Sequence, residues 1–204
     1  MCIRDRKTNI TIVGGGPAGL MAAYVLSKNG FSVTIFDSKP TVARKFLLAG
    51  RGGLNITHSE TQKNFIKKYR NNSKLFNKLL DNFSQDDLRQ FCKNLGEETF
   101  IGSSGRIFPK SFKASPLLRS WLSELREQNV VFKTNHHWIG WERDKLVFKN
   151  YESEVVIKPD ITLFALGGLS WPKLGSDGSW IKIFEKEDIK TVSYTHLRAH
   201  ETSL

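Results

Sequence analysis

The chain has 204 residues, of which 39% are hydrophobic and 25% are charged, and its formal net charge is +11. A chain of this length forms one domain, or one domain and part of a second, and buries roughly 70% of the surface that the unfolded state exposes. This composition excludes a fibrous, collagen-like or wholly disordered protein.

The cysteine content and the hydropathy pattern indicate a cytoplasmic protein. Cys2 and Cys92 are too few for a disulfide framework or a Cys-rich zinc site, and they form no C-x-x-C pair. The longest uncharged stretch, residues 8–27, contains four glycines and a proline. It therefore predicts a buried strand, a turn and a helix, and neither a membrane-spanning segment nor a membrane partner.

The net charge of +11 is compatible with a nucleic-acid partner, an anionic cofactor or a lysine-rich surface. The lysines are dispersed among uncharged residues, and no recognisable nucleic-acid motif accompanies them. We therefore expect no nucleic-acid partner.

The two ends of the chain differ from its middle. Residues 1–6 and 192–204 resemble translated sequencing-adapter read-through, as found at the ends of gene fragments. We predict a non-native leader over 1–6, a non-native tail over 192–204, and a native domain over 7–191.

The first predicted element is a short β-branched strand over residues 9–13, which leads directly into a glycine-rich turn. The pattern G-x-G-x-x-G is a weak signal by itself, but the residues around it fit a βαβ dinucleotide-binding unit. The positions that fit this template are Gly14, Gly16, Gly19, Ala23, Leu26, Gly30, Val33 and Asp37.

Each glycine of this turn has a physical role. Gly14 permits a tight turn out of the strand, and Gly16 leaves room for a pyrophosphate to approach the backbone. Gly19 allows the helix to lie close to the sheet. Free backbone N–H groups near Pro17 and Ala18, at the start of the helix, attract negative charge.

The βαβ unit continues with a helix over about 17–29 and a strand over 31–36. Asp37 follows this strand, where a carboxylate accepts a hydrogen bond from a ribose 2′-OH and disfavours a 2′-phosphate. The sequence thus predicts FAD or NAD, and not NADP, at this site.

A basic loop is predicted over residues 44–59. Its glycines, including Gly52 and Gly53, lie among cations that include Lys45 and Arg51. Such a loop could hold a pyrophosphate or pack on an isoalloxazine edge. The alternative is a solvated basic turn.

In the middle of the chain we predict helices over 60–95, with Ser84 as a cap and Cys92 as a core thiol, and a further helix from residue 115. A third parallel strand over 130–133 and an antiparallel meander over 137–158 should follow. His136 and His137 match no metal-ligand spacing, so no metal is expected.

The last predicted strand, over residues 160–165, ends in Gly167 and Gly168. This second Gly-Gly turn should bring another stretch of backbone close to the ligand. The predicted fold class is α/β, a Rossmann-like parallel sheet with helices and a small antiparallel meander.

Four blocks, at residues 14–19, 44–59, 102–118 and 165–180, together resemble the bacterial NAD(P)/FAD-dependent oxidoreductases grouped with the BaiN-type flavoproteins. The resemblance implies an FAD domain with Asp37 on the adenosine ribose, residues 14–19 on the pyrophosphate, and residues 45 and 51–53 near the flavin. It also implies that the chain is an N-terminal portion, truncated before a second domain.

These features together predict an FAD-binding flavoprotein oxidoreductase with a small-molecule substrate. The resemblance alone adds NAD(P)H as the reductant. No catalytic base stands out, and without a C-x-x-C pair a dithiol reductase is excluded. The alternatives are a basic nucleotide-fold binding module and a catalytically incomplete fragment.

Overall fold

The computed structural model describes residues 7–169, 171–175 and 177–192. The predicted leader and all but one residue of the predicted tail lie outside these ranges. The strands are β1 Asn9–Val13, β2 Ser32–Phe36, β3 Thr57–His58, β4 Thr99–Ile101, β5 Arg106–Pro109, β6 Val131–Lys133, β7 His137–Glu142, β8 Lys145–Lys149, β9 Glu154–Ile157 and β10 Ile161–Phe164. The helices are α1 Pro17–Lys28, α2 Arg44–Ala49, α3 Gln62–Lys67, α4 Ser73–Asn82, α5 Gln85–Asn94, α6 Ala114–Glu127 and α7 Trp180–Lys186, with 3-10 turns at Arg70–Asn72 and Pro172–Leu174.

The chain divides into two compact units. Met1–Lys45 and Leu125–Leu204 form the first unit, and Phe46–Glu124 form an inserted unit. The chain passes from one unit to the other within α2 and returns within α6. Across the described residues, no helix has the length and apolar character needed to cross a bilayer.

The first unit contains a parallel sheet in the order β10-β1-β2-β6. β1 lies inside it, with Ile10 opposite Ile161 on one side and Val33 on the other. Four of the five β1 residues are buried, as expected for a strand covered on both faces. This arrangement confirms the predicted Rossmann-like α/β fold.

The predicted meander is present as the antiparallel sheet β7-β8-β9. Phe148 of β8 is fully buried and stacks on Phe36 of β2, with ring centroids 4.2 Å apart. Trp138, Trp180 and Phe184 pack in the same cluster. An aromatic core thus joins the meander and α7 to the strand that precedes Asp37.

The inserted unit combines helices with a second antiparallel sheet, β3-β5-β4, which the sequence did not predict. The predicted cap of α5 is present: the Ser84 hydroxyl accepts from the Asp87 N–H, and the Ser84 N–H donates to the Asp87 carboxylate. The predicted loop over 44–59 begins instead with a helix, α2.

Candidate dinucleotide-binding site

Gly14 begins the turn between β1 and α1, and no other residue fits there. Its φ of +110° lies in the region that favours glycine, and a Cβ would lie 2.2 Å from the carbonyl oxygen of Ala165. Its N–H donates to the carbonyl of Phe36 at 2.8 Å. The turn is therefore fixed between the ends of β2 and β10.

Gly19 and Gly16 have opposite surroundings. A Cβ on Gly19 would lie 2.0 Å from the Gly14 carbonyl oxygen, so this glycine allows α1 to lie directly against the turn. Around the Cβ position of Gly16, no described atom lies within 4 Å. The open side of the turn is therefore at Gly16, where the sequence predicts that a pyrophosphate approaches.

The N-terminus of α1 adjoins this open side. Gly16 is the N-cap and Pro17 the first helical residue, and no side chain in the described ranges caps the helix. The N–H groups of the first turn, including those of Ala18 and Gly19, have no acceptor within the helix. Together with the positive end of the helix dipole, they form a suitable environment for an anion.

Asp37 is held at the end of β2 by two backbone groups. Its Oδ2 accepts from the Gly15 N–H at 2.8 Å, and its Oδ1 accepts from the Lys39 N–H at 2.8 Å. A carboxylate offers about four lone-pair positions, so both oxygens retain acceptor capacity. The bond to Gly15, which the sequence did not predict, orients the carboxylate beside the glycine turn.

The second Gly-Gly turn lies at the same edge of the sheet. The Ala165 N–H donates to the Val13 carbonyl at 2.8 Å, and Gly167 then turns away with a φ of +72°. The indole N–H of Trp180 donates to the Gly167 carbonyl at 3.2 Å. The sequence did not predict this contact, because it depends on how α7 meets the turn after β10.

The cations and glycines predicted on the flavin side belong to both units. Lys45 is in α2 within the first unit, whereas Arg51, Gly52 and Gly53 lie in the inserted unit. Arg51 and Gly52 are exposed. Gly53 has a φ of +109°, and a Cβ there would lie 3.3 Å from the ring of Phe112. The role of these four residues toward a cofactor stays a prediction.

Cys92 is a buried core thiol, as the sequence indicated. Burial, with a smaller contribution from the Glu97 carboxylate, raises the pKa of the Cys92 thiol to about 11. A thiol with so high a pKa is a poor nucleophile at neutral pH.

The histidine pair shows no metal geometry. The Nδ1 of His136 lies 2.7 Å from the Thr134 carbonyl oxygen, and its ring packs edge-on against Phe36. Among the described residues, no group of three His, Cys, Asp or Glu side chains is placed to hold a metal ion.

The chain is similar to known proteins in its sequence as well as in its fold. Residues 8–196 match the family described as HI0933-like protein Rossmann domain. The ribosomal RNA dihydrouridine synthase of Haemophilus influenzae is 27% identical over 199 residues, which cover 89% of this chain and 45% of that protein. The thiamine thiazole synthase of Thermotoga maritima is 38% identical over 62 residues, which cover 30% of this chain and 25% of that protein.

A solved structure has the same fold. The open conformation of a flavocytochrome c3 fumarate reductase aligns with a TM-score of 0.59 at 15% identity, over 89% of this chain and 40% of that one. The matched regions thus cover less than half the length of each of these three proteins. With a match over nearly its whole length, the chain belongs to the HI0933-like protein Rossmann domain family.

Proposed function

We propose that the chain is the nucleotide-binding portion of an FAD-dependent flavoprotein oxidoreductase. One observation carries this proposal: at the turn after β1, backbone fills the Cβ positions of Gly14 and Gly19, while no described atom lies within 4 Å of that of Gly16. A dinucleotide pyrophosphate needs this close approach to the backbone at a helix N-terminus. Membership of the HI0933-like protein Rossmann domain family supports the proposal.

The proposed contacts follow the chain. Asp37 accepts from the adenosine ribose, and its charge disfavours a 2′-phosphate. Residues proposed at the pyrophosphate are Gly14, Gly16, Pro17, Ala18 and Gly19. Residues proposed on the flavin side are Lys45, Arg51, Gly52 and Gly53, with a second backbone approach at Gly167 and Gly168.

The protein contributes position and electrostatics to this chemistry. When bound, a flavin supplies hydride and electron transfer, so no catalytic base is required from the chain. The N-terminus of α1 would offset the pyrophosphate charge. The Gly15 N–H would hold the Asp37 carboxylate in place before the ribose arrives. NAD(P)H as reductant, and the BaiN-type grouping, form part of the proposal through the family resemblance.

The test is a titration of FAD, with NAD as competitor, into the wild-type chain and its Asp37→Ala variant. Asp160→Ala is a matched control, because Asp160 also binds a backbone group of the same sheet. Its Oδ2 accepts a hydrogen bond from the Asn9 N–H at 2.8 Å, at the other end of β1. We expect saturable FAD binding that NAD does not displace and that only Asp37→Ala weakens. A folded chain that takes up no FAD would overturn the proposal.

A second candidate is reduction of a uridine in ribosomal RNA. It is favoured by the relative that aligns over 89% of the chain, and the net charge of +11 suits a polyanionic substrate. Conversion of uridine into dihydrouridine is a two-electron reduction, so it falls within the proposed reaction class. It competes with the prediction of a small-molecule substrate, and mass spectrometry of nucleosides from ribosomal RNA incubated with the FAD-loaded protein and NADH tests it.

A further inference from the structure

The inserted unit contains a helical hairpin whose two helices are held together by specific contacts. The ring of Tyr69 stacks on Phe76 at 3.6 Å and meets Phe65 edge-on at 5.8 Å. The amide of Gln62 donates to Asp81 at 2.8 Å, which joins the start of α3 to the end of α4. We call residues 62–82 the basic hairpin.

Cations are arranged regularly along this hairpin. Lys63 and Lys67 lie one turn apart in α3, and Lys74 and Lys78 lie one turn apart in α4. Arg70 lies in the turn between the helices. These five are exposed and none forms an ion pair with a described residue, whereas Lys68, the remaining cation of the hairpin, pairs with Glu60. Like charges one turn apart destabilise a helix, so folding does not account for this pattern.

An apolar strip adjoins the cations on α4. Leu75 is 56% exposed and Leu79 is 52% exposed, and each directly follows one of the lysines in the sequence. Cations next to an apolar strip suit a partner that has phosphates beside less polar surfaces. RNA has this character, since its phosphates flank sugars and base faces.

We propose that the basic hairpin is a contact surface for the phosphate backbone of RNA. This proposal rests on the second candidate function. The positive charge of the hairpin suits any polyanion, and the ribosomal RNA of that candidate function is what favours RNA. Lysine and arginine contacts to phosphate position an RNA without reading its sequence. The hairpin would therefore hold the substrate and take no part in its chemistry.

The test measures binding of a fluorescein-labelled RNA stem-loop to the whole chain by anisotropy at several salt concentrations. The test variant combines Lys63→Gln, Lys67→Gln, Lys74→Gln and Lys78→Gln. A second variant replaces the same four lysines by arginine and preserves their charge.

The control variant removes the same charge from the first unit, through four exposed lysines replaced by glutamine. These substitutions are Lys145→Gln, Lys149→Gln, Lys182→Gln and Lys186→Gln. FAD titration of every variant separates this proposal from the flavin proposal, because the hairpin lysines are not among the proposed FAD ligands.

We expect the hairpin glutamine variant to bind RNA about tenfold or more weakly than the wild type. The slope of log K against the logarithm of the salt concentration should become shallower by about 0.7–0.9 for each phosphate contact that is lost. The arginine variant should retain binding, and the control should lose less than about threefold. Equal losses in test and control variants, or no RNA binding by the wild type, would overturn the proposal. A membrane partner is the other outcome that would overturn the proposal. In that case the chain would bind phosphatidylserine vesicles, the double variant Leu75→Gln with Leu79→Gln would abolish this binding, and RNA affinity would not depend on the hairpin lysines.

Discussion

The Asp37 carboxylate accepts a hydrogen bond from the Gly15 N–H at 2.8 Å and so connects the end of β2 to the turn after β1. A Cβ on Gly15 would lie 2.9 Å from the same carboxylate oxygen and 2.5 Å from Val42. The carboxylate therefore stabilises the turn, in addition to its proposed role as a hydrogen-bond acceptor for the ribose. Substitutions of Asp37 are therefore expected to change both the free energy of unfolding and the proposed affinity for FAD, and two variants are needed to separate the effects.

Asp37→Ala should lower the free energy of unfolding without FAD by about 1–3 kcal/mol, because the partly buried Gly15 N–H loses its acceptor. Asp37→Asn keeps an oxygen acceptor and should lose less stability. Both should weaken FAD binding by about tenfold, since a charged acceptor binds a hydroxyl more strongly than an amide does.

Urea unfolding without FAD and flavin fluorescence titrations measure the two effects separately. If Asp37→Asn bound FAD as tightly as the wild type, the charge of Asp37 would have no part in cofactor binding. Its role would then be confined to the turn.

Gly16→Ala and Gly19→Ala form a matched pair within the same turn. Because no described atom lies near the Gly16 Cβ position, and its φ of −77° suits alanine, Gly16→Ala should change stability by less than about 1 kcal/mol. It should nevertheless weaken FAD binding by about tenfold or more, since the added methyl takes the space proposed for the pyrophosphate.

Gly19→Ala should act on the fold itself. Its Cβ would lie 2.0 Å from the Gly14 carbonyl oxygen, so the helix must move and the melting temperature should fall. Thermal unfolding followed by circular dichroism compares the two variants. A Gly16→Ala variant that is stable and binds FAD normally would place the ligand elsewhere.

Local signals explain what the sequence predicted well. β1 matches its predicted bounds, and β2 and β6 each begin one residue later than predicted. The glycine turn at Gly14 and the capping box at Ser84 depend on residues a few positions apart in the sequence. A sequence pattern therefore predicts them directly.

The missed elements depend on long-range pairing or on very short segments. β3 has two residues, and Thr57 pairs with Ile107, fifty positions away. Periodicity cannot reveal a strand of that length. In the site, the Gly15–Asp37 bond and the Trp180–Gly167 bond were missed for a similar reason, since each depends on how separate elements meet.

Arg51→Ala tests the proposed flavin side of the site. If Arg51 acts near the flavin, its loss should weaken FAD binding by about three- to tenfold and leave ADP binding unchanged, because ADP has no flavin. Asp37→Ala should weaken both ligands. Calorimetric titration of FAD and ADP into both variants makes the comparison, and equal losses of FAD and ADP affinity in Arg51→Ala would place the arginine at the pyrophosphate.

The burial of Cys92 predicts a pH dependence of stability. The pKa of this thiol is about 11 in the folded chain, against an ordinary value of 9.0. Between these values the unfolded state loses the proton that the folded state keeps, so the free energy of unfolding falls as pH rises. The stabilisation that comes from the protonated, buried thiol is fully present below pH 9. By pH 11 the free energy of unfolding has fallen by about 2–3 kcal/mol through this group.

Cys92→Ala isolates the contribution of this thiol, because every other ionisable group is present in both proteins. The gap in unfolding free energy between wild type and Cys92→Ala should narrow from pH 8.5 to pH 11 by about 2–3 kcal/mol, as measured by urea unfolding. A Cys2→Ser background leaves Cys92 as the one thiol of the chain, and it should react slowly with a thiol reagent until the protein unfolds. Parallel stability curves, or rapid labelling of the native protein, would mean that solvent reaches Cys92 and that its pKa is not raised.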